Sequence, residues 1–148
     1  MKHYELSLMP ELVNSIIRTD CFKEEYVADN CLILKKYIDS INSHNFEKVK
    51  RLLDDEVVFF FTDKKCITLP DIEAYFTEAW SLIEDEVYEA VNPTLVNATS
   101  TAKVFTYTFV YSGTTTSGKQ ISGEGRATNV FMLKKGEWKL VHEHLSNF

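Results

Sequence analysis

The sequence predicts an α+β domain in which a curved antiparallel sheet wraps three to four N-terminal helices. Two observations carry this. Apolar residues recur every three or four positions in the first half of the chain and every two in the second. The four extended stretches of the second half are joined by short connections, so they form an antiparallel meander. A chain of 148 residues without a Pro-, Gly- or Ser-rich linker is expected to fold as a single domain over 1–148.

Taken in order, Leu6, Met9, Leu12, Val13, Ile16 and Ile17 recur at helical spacing interrupted by Pro10. This predicts a short helix at 10–18 within an N-terminal helical extension, 1–23. From Glu24 to Asn42, the residues Val27, Cys31, Leu34, Ile38 and Ile41 lay one apolar stripe along a helix, widened by Tyr26, Ile33 and Tyr37. Asn42-Ser43-His44-Asn45 breaks that helix and caps a second one, from Phe46 to Leu53. The β-branched and aromatic run Val57 to Thr62 predicts a buried strand. Thr68-Leu69-Pro70-Asp71 matches a capping box with proline in the first turn. It opens a third helix to about Glu84, with Ile72, Phe76, Ala79, Trp80 and Ile83 inward. Strands are expected at 87–97, 102–112, 119–133 and 137–146.

Composition excludes several function classes. Hydrophobic residues at 45% and charged residues at 26% argue against disorder. A net charge of -6 offers no basic footprint, so neither nucleic acid nor an anionic membrane is an expected partner. No apolar run reaches membrane-spanning length, and the N-terminus lacks the apolar stretch of a signal peptide. Cys21, Cys31 and Cys66 are widely spaced and form no Cys-x-x-Cys pair. They are expected as reduced thiols of a cytoplasmic protein, Cys31 in the helix core.

The candidate site lies in the last strand. Side chains alternate across a strand, so Trp138, Leu140, His142, His144 and Ser146 are expected on one face. A three-residue turn at Lys134-Lys135-Gly136 would set Thr128 opposite His142, Arg126 opposite His144 and Glu124 opposite Ser146. A two-residue turn would instead bring Asn129 and Ala127 beside the histidines, and loop length favours the first register. In that register these six polar residues form one patch on the concave face. His144 or His142 would act as base, Arg126 would stabilise an oxyanion, and Thr128, Ser146 and Glu124 would contact ligand. Trp80, Phe76, Tyr37 and Phe59 or Phe60 would be apolar walls.

Plainer readings stand beside these. The histidines can simply be hydrogen-bonded at one end of a barrel, Arg126 can pair with Glu124, and the aromatics can be core. A His-x-His pair can chelate a metal, yet only Glu124 could add a third ligand, so no metal is expected. No nucleophile-elbow sequence surrounds Ser146. Phe105, Tyr107, Phe109 and Tyr111 are expected to point outward, as an aromatic row buried by a second protomer. Glu84-Asp85-Glu86 is expected as a solvated helix end.

The run Gly125-Arg126-Ala127-Thr128-Asn129-Val130, through Lys135-Gly136-Glu137-Trp138 to His142-Glu143-His144-Leu145-Ser146, resembles the nuclear transport factor 2-like superfamily. Within it the chain is similar to the SnoaL-like and ketosteroid isomerase-like group, over residues 24–148. The resemblance implies a cone-shaped α+β roll of the cystatin-like kind, a pocket inside the cone and a homodimer packed through the outer sheet face. It also implies acid–base chemistry by one or two pocket Asp, His or Tyr groups, without metal or organic cofactor. Neither Asp39 nor Asp63 matches the isomerases' base, which argues against steroid isomerisation. The expected ligand is a small, partly apolar molecule bearing a carbonyl or carboxylate. The reaction would be a cofactor-free isomerisation, cyclisation or dehydration. The sequence leaves open whether the protein is an enzyme, the alternative being a non-catalytic ligand-binding or assembly module.

Overall fold

The computed structural model describes residues 16–23 and 26–148. Strand β1 (Ile16–Asp20) is followed by the short pair β2 (Phe22–Lys23) and β3 (Tyr26–Val27), then by a 3₁₀ turn (Asp29–Cys31). Helices α1 (Leu32–Asn42) and α2 (Phe46–Lys50) come next, then β4 (Leu53–Phe60), β5 (Lys65–Cys66) and α3 (Leu69–Leu82). The meander closes the chain: β6 (Val87–Ala98), β7 (Ala102–Thr114), β8 (Gln120–Lys134) and β9 (Glu137–Asn147). One seven-stranded sheet runs β1-β6-β7-β8-β9-β4-β5. Its neighbours are antiparallel except β4 beside β9, which is parallel. The sheet curves over α1 and α3, and the α+β expectation holds.

Local chemistry sets the helix boundaries. The Asn45 side chain accepts from the Glu47 N–H at 3.0 Å and starts α2. The Thr68 hydroxyl accepts from the Asp71 N–H at 3.3 Å and starts α3, with Pro70 in its first turn. At the end of α1, Asn42 pairs its amide with the backbone of Tyr88: Nδ2 donates to the carbonyl and Oδ1 accepts from the N–H, both at 2.8 Å. That side-chain clasp fixes the helix against β6.

Three expectations need correction here. Residues 16–18 are strand, hydrogen-bonded to β6, because the open edge of β6 overrides helical spacing. The remainder of the helix expected at 10–18 lies outside the described residues. The first long helix starts at Leu32, after the 3₁₀ turn, rather than at Glu24. Cys21 and Cys31 form a disulfide with Cα atoms 5.5 Å apart, so only Cys66 is a free thiol. The Ala28 N–H donates to the Cys21 carbonyl at 3.1 Å, and this turn brings together two cysteines whose spacing in sequence carried no pairing signal.

Phe105, Tyr107 and Phe109 point into the core rather than outward. Their alternates Val104, Thr106, Thr108 and Val110 lie half-buried on the convex face. A curved sheet has a wide interior to fill, and large aromatics fill it while β-branched residues suit the outer pleat. Phe105 meets Phe131 edge-on at 5.6 Å, and Tyr37 meets the same ring at 6.0 Å. Among the described residues no helix is long and apolar enough to cross a membrane.

Candidate functional site

The geometry of the site follows from one turn and one bulge. The β8–β9 connection is the two-residue turn Lys135-Gly136, both residues at positive φ (52° and 80°), with Lys134 opposite Glu137. The three-residue turn does not form. Pairing then runs through Phe131 opposite Leu140 and shifts by one residue, so that Val130 faces His142. Val141 is the extra residue, and the bulge inverts the alternation of everything after it. Trp138 and Leu140 face inward before the bulge, and Glu143 and Leu145 face inward after it. His142, His144 and Ser146 consequently lie on the outer face.

The six residues of the expected patch are thus corrected together. Thr128 lies opposite His144 and Arg126 opposite Ser146, so they do share one face, but it is the convex one. His144, Arg126, Ser146 and Glu124 are exposed, and His142 and Thr128 half-buried. The His142 Nδ1–H donates to the Val58 carbonyl at 2.8 Å. Phe60 presents itself edge-on to both imidazoles, at 5.0 and 5.3 Å. The Arg126 guanidinium lies over the Phe148 ring at 5.0 Å rather than against Glu124.

Inside the cone the structure places a different set. A cavity of about 280 Å³ is walled by Phe76, Trp80, Tyr88, Phe109 and Tyr111 and reached by Glu143. Exposed Leu82 and half-buried Glu86 mark its mouth. Glu143 is only 2% exposed, and opposite it Asn129 is wholly buried. The Tyr37 hydroxyl donates to Glu143 Oε1 at 2.8 Å, and Asn129 Nδ2 donates to the same oxygen at 2.9 Å. Oε2 has no hydrogen-bond donor among the described residues. Two buried hydroxyls, Tyr88 and Tyr107, lie 3.4 Å apart nearby. Among the described residues Asn129 Oδ1 is buried without a partner, a cost of roughly 1–3 kcal/mol that stable cores avoid and functional sites tolerate.

Burial pushes the Glu143 carboxyl up to about 7, against the two donors on Oε1, which hold it down. At neutral pH it is therefore divided between acid and carboxylate. Burial pushes the hydroxyls of Tyr37, Tyr88 and Tyr107 well above 10, so all three remain donors. Burial also lifts Glu86 to about 7. His44, itself at positive φ, stacks on Trp80 at 5.2 Å and donates from Nε2 to the Glu86 carbonyl at 2.9 Å. Glu86 is accordingly part of the mouth, while Glu84 and Asp85 are solvated as expected.

Of the expected site residues, Trp80 and Phe76 wall the cavity and Tyr37 bonds its carboxyl. Glu143, Asn129, Tyr88 and Tyr107 escaped the sequence reading. A signal for them existed: if the aromatic row of β7 points inward, odd-numbered residues of β8 do too, and Asn129 becomes an interior polar group needing a partner. The bulge that supplies Glu143 as that partner leaves no mark in the sequence.

A SnoaL-like domain model matches residues 32–148, which spans all three α-helices and the meander. The chain belongs to the SnoaL-like family. Solved structures agree on the fold. A nuclear transport factor 2-like superfamily protein from Salmonella enterica is 16% identical, with 80% of this chain and 88% of that one covered and a TM-score of 0.72. A protein from Xanthomonas campestris described as a calcium/calmodulin dependent protein kinase II association domain is 17% identical, with coverages of 90% and 95% and a TM-score of 0.71. An uncharacterised protein with a cystatin-like fold from Caulobacter vibrioides is 16% identical, with coverages of 79% and 85% and a TM-score of 0.67. At such identities the likeness is one of fold. Among curated protein sequences none matches this SnoaL-like chain.

Proposed function

We propose that the cavity binds a small, largely apolar molecule bearing a carbonyl and moves a proton on it without a cofactor, with Glu143 as acid and base. The observation that carries this is the buried Glu143 carboxyl, held at one oxygen by Tyr37 and Asn129 and poised near neutrality at the end of an aromatic cavity. A general base works best with a pKa near the working pH, and Oε2 is the oxygen left to do it. In the proposed step the Glu143 carboxylate takes a proton from the carbon beside the carbonyl, and the C–H electron pair moves into an enolate. The Tyr88 hydroxyl donates to the enolate oxygen. Return of the proton to another carbon completes an isomerisation. In a dehydration the enolate pair instead forms the C=C bond as the β C–O bond breaks, and the departing hydroxyl takes the proton from Glu143 and leaves as water.

His142, His144 and Arg126 take another role in this reading. Together with Phe60, Thr128 and Val130 they form a half-covered patch on the convex face, where a second protomer packs to make the homodimer. The association domain with the same fold supports the alternative, an assembly module whose cavity is not catalytic.

The test follows α-deuteration of a panel of aryl and cyclic ketones in heavy water by proton NMR. We expect exchange that rises with pH through about 7 and falls by 10²-fold or more, a rough figure, in Glu143→Gln. Exchange that ignores Glu143→Gln would refute the assignment, and the absence of any accelerated exchange would favour the assembly module.

A further inference from the structure

The opposite end of β7 carries a second concavity with different chemistry. A cleft of about 410 Å³ opens between the start of α1, the residues after α2 and the β8–β9 turn. Lys36, Arg51, Lys103 and Lys139 line it, against the acids Asp29 and Glu137. Four cations against two acids leave two positive charges concentrated in a chain whose net charge is -6.

Lys103 decides what the cleft is for. It sits at an inward position of β7, in phase with Phe105 and Tyr107 and opposite Phe131, and is only 7% exposed. Its ammonium lies 4.5 Å from the centre of the Trp138 ring. No carboxylate lies within ion-pair distance of it among the described residues, and no hydrogen bond satisfies its three donors there. Lysines so placed are almost always paired, because even partial loss of water around an ammonium is costly. The Lys103 ammonium keeps its remaining solvent contact through the open cleft. The Trp138 face offsets part of that cost and leaves the donors free. Burial also lowers the affinity of the ammonium for its proton, a penalty that an arriving anion reverses.

The other cations are placed to help. Lys139 is engaged, donating to the Arg51 carbonyl at 2.6 Å and lying 3.4 Å from Glu137. That contact pins the Arg51 backbone, while the exposed guanidinium of Arg51 and the ammonium of Lys36 make no ion pair among the described residues. Leu32, Ile33 and Leu52 add apolar wall. The volume exceeds what a bare inorganic anion fills, and an excess of two charges suits a dianion.

We propose that this cleft binds the phosphate group of a small phosphorylated organic molecule, with Lys103 as the buried contact, Arg51 and Lys36 closing over the phosphate, and the organic part against Leu32 and Leu52. Arg51 offers the paired donors that phosphate geometry prefers. Lys103 lies one inward position from Phe105, whose neighbour Asn129 holds Glu143, so the cleft backs onto the Glu143 network. It shares no lining residue with the Glu143 cavity, however, and opens on the other side.

The experiment titrates ¹⁵N-labelled protein with phenyl phosphate, inorganic phosphate and benzoate, following the Trp138 indole and the Lys103 and Gly136 amides by NMR. We expect saturable shifts with phenyl phosphate, weaker binding of inorganic phosphate at the same resonances, and the weakest response to benzoate. Lys103→Met keeps the aliphatic stem and removes the charge. It should weaken phenyl phosphate at least about tenfold and raise the ligand-free Tm by roughly 2–4 °C. Arg51→Gln, on an exposed residue, should weaken binding with no change in Tm, and Lys64→Met, remote from the cleft, should change nothing. The proposal is overturned if no ligand gives saturable shifts at these resonances. It is equally overturned if phenyl phosphate binds undiminished to both Lys103→Met and Arg51→Gln, or if benzoate binds as tightly as phenyl phosphate.

Discussion

In the proposed reading Glu143 is the residue on which the chemistry turns, and its environment leaves a signature in stability. Burial raises its folded-state carboxyl from an ordinary 4.5 to about 7. Between those values the folded protein holds a proton that the unfolded chain has lost. Stability is therefore full below about pH 4.5 and declines as pH rises through 7. Half-buried Glu86 acts in the same direction, less strongly because water reaches it. Glu143→Gln removes the ionisable group while keeping an acceptor for Tyr37. We expect it to match the native protein near pH 4 and to exceed it at pH 8 by on the order of 3 kcal/mol in urea unfolding. A more stable variant that has lost activity is the mark of a carboxyl kept for chemistry rather than for the fold.

At the level of elements, the β8–β9 hairpin sets which face each polar group occupies. Its turn places Lys135 at φ 52°, a conformation costly for a residue with a Cβ. Lys135→Gly should therefore stabilise the protein by about 1 kcal/mol, read as a shift of the urea midpoint with an unchanged slope. A destabilised variant would mean that the lysine stem contributes more than the backbone strain costs. The same hairpin shows how far the sequence could be read. Helix caps at Asn45 and Thr68 and the four meander strands follow from local chemistry and period, and their positions agree to within a few residues. The face of each strand depends on parity, and a single unpaired residue at Val141 reverses it. Local pattern thus located the strand and placed His142 and His144, in place of Glu143, on its inner face. The Cys21–Cys31 bridge escaped for a related reason, since it depends on how the segment before α1 folds back onto β1.

On the scale of the whole molecule, the curved sheet separates three environments. The interior holds an aromatic cavity around one carboxyl, the far end a cationic cleft, and the convex face a band of half-exposed Val, Thr and His with Phe60 at its edge. A sheet face of that kind is incompletely covered in a single chain. If a second copy covers it, light scattering at micromolar concentration should report twice the chain mass of 17.1 kDa. Phe60→Asp, which places a charge on that face against His142 and His144, should return it to the monomer while leaving far-ultraviolet circular dichroism unchanged. A native protein that runs as a monomer would remove the dimer from the account without touching the cavity.

The central claim is that one carboxyl inside the cone titrates near neutrality because it is buried and held by Tyr37 and Asn129. A ¹³C NMR titration of the Glu143 carboxyl measures this directly. The account predicts a midpoint close to 7 in the native protein, and a higher one in Tyr37→Phe, where a donor to the charged form is lost. A midpoint near the ordinary 4.5, unmoved by that substitution, would contradict it.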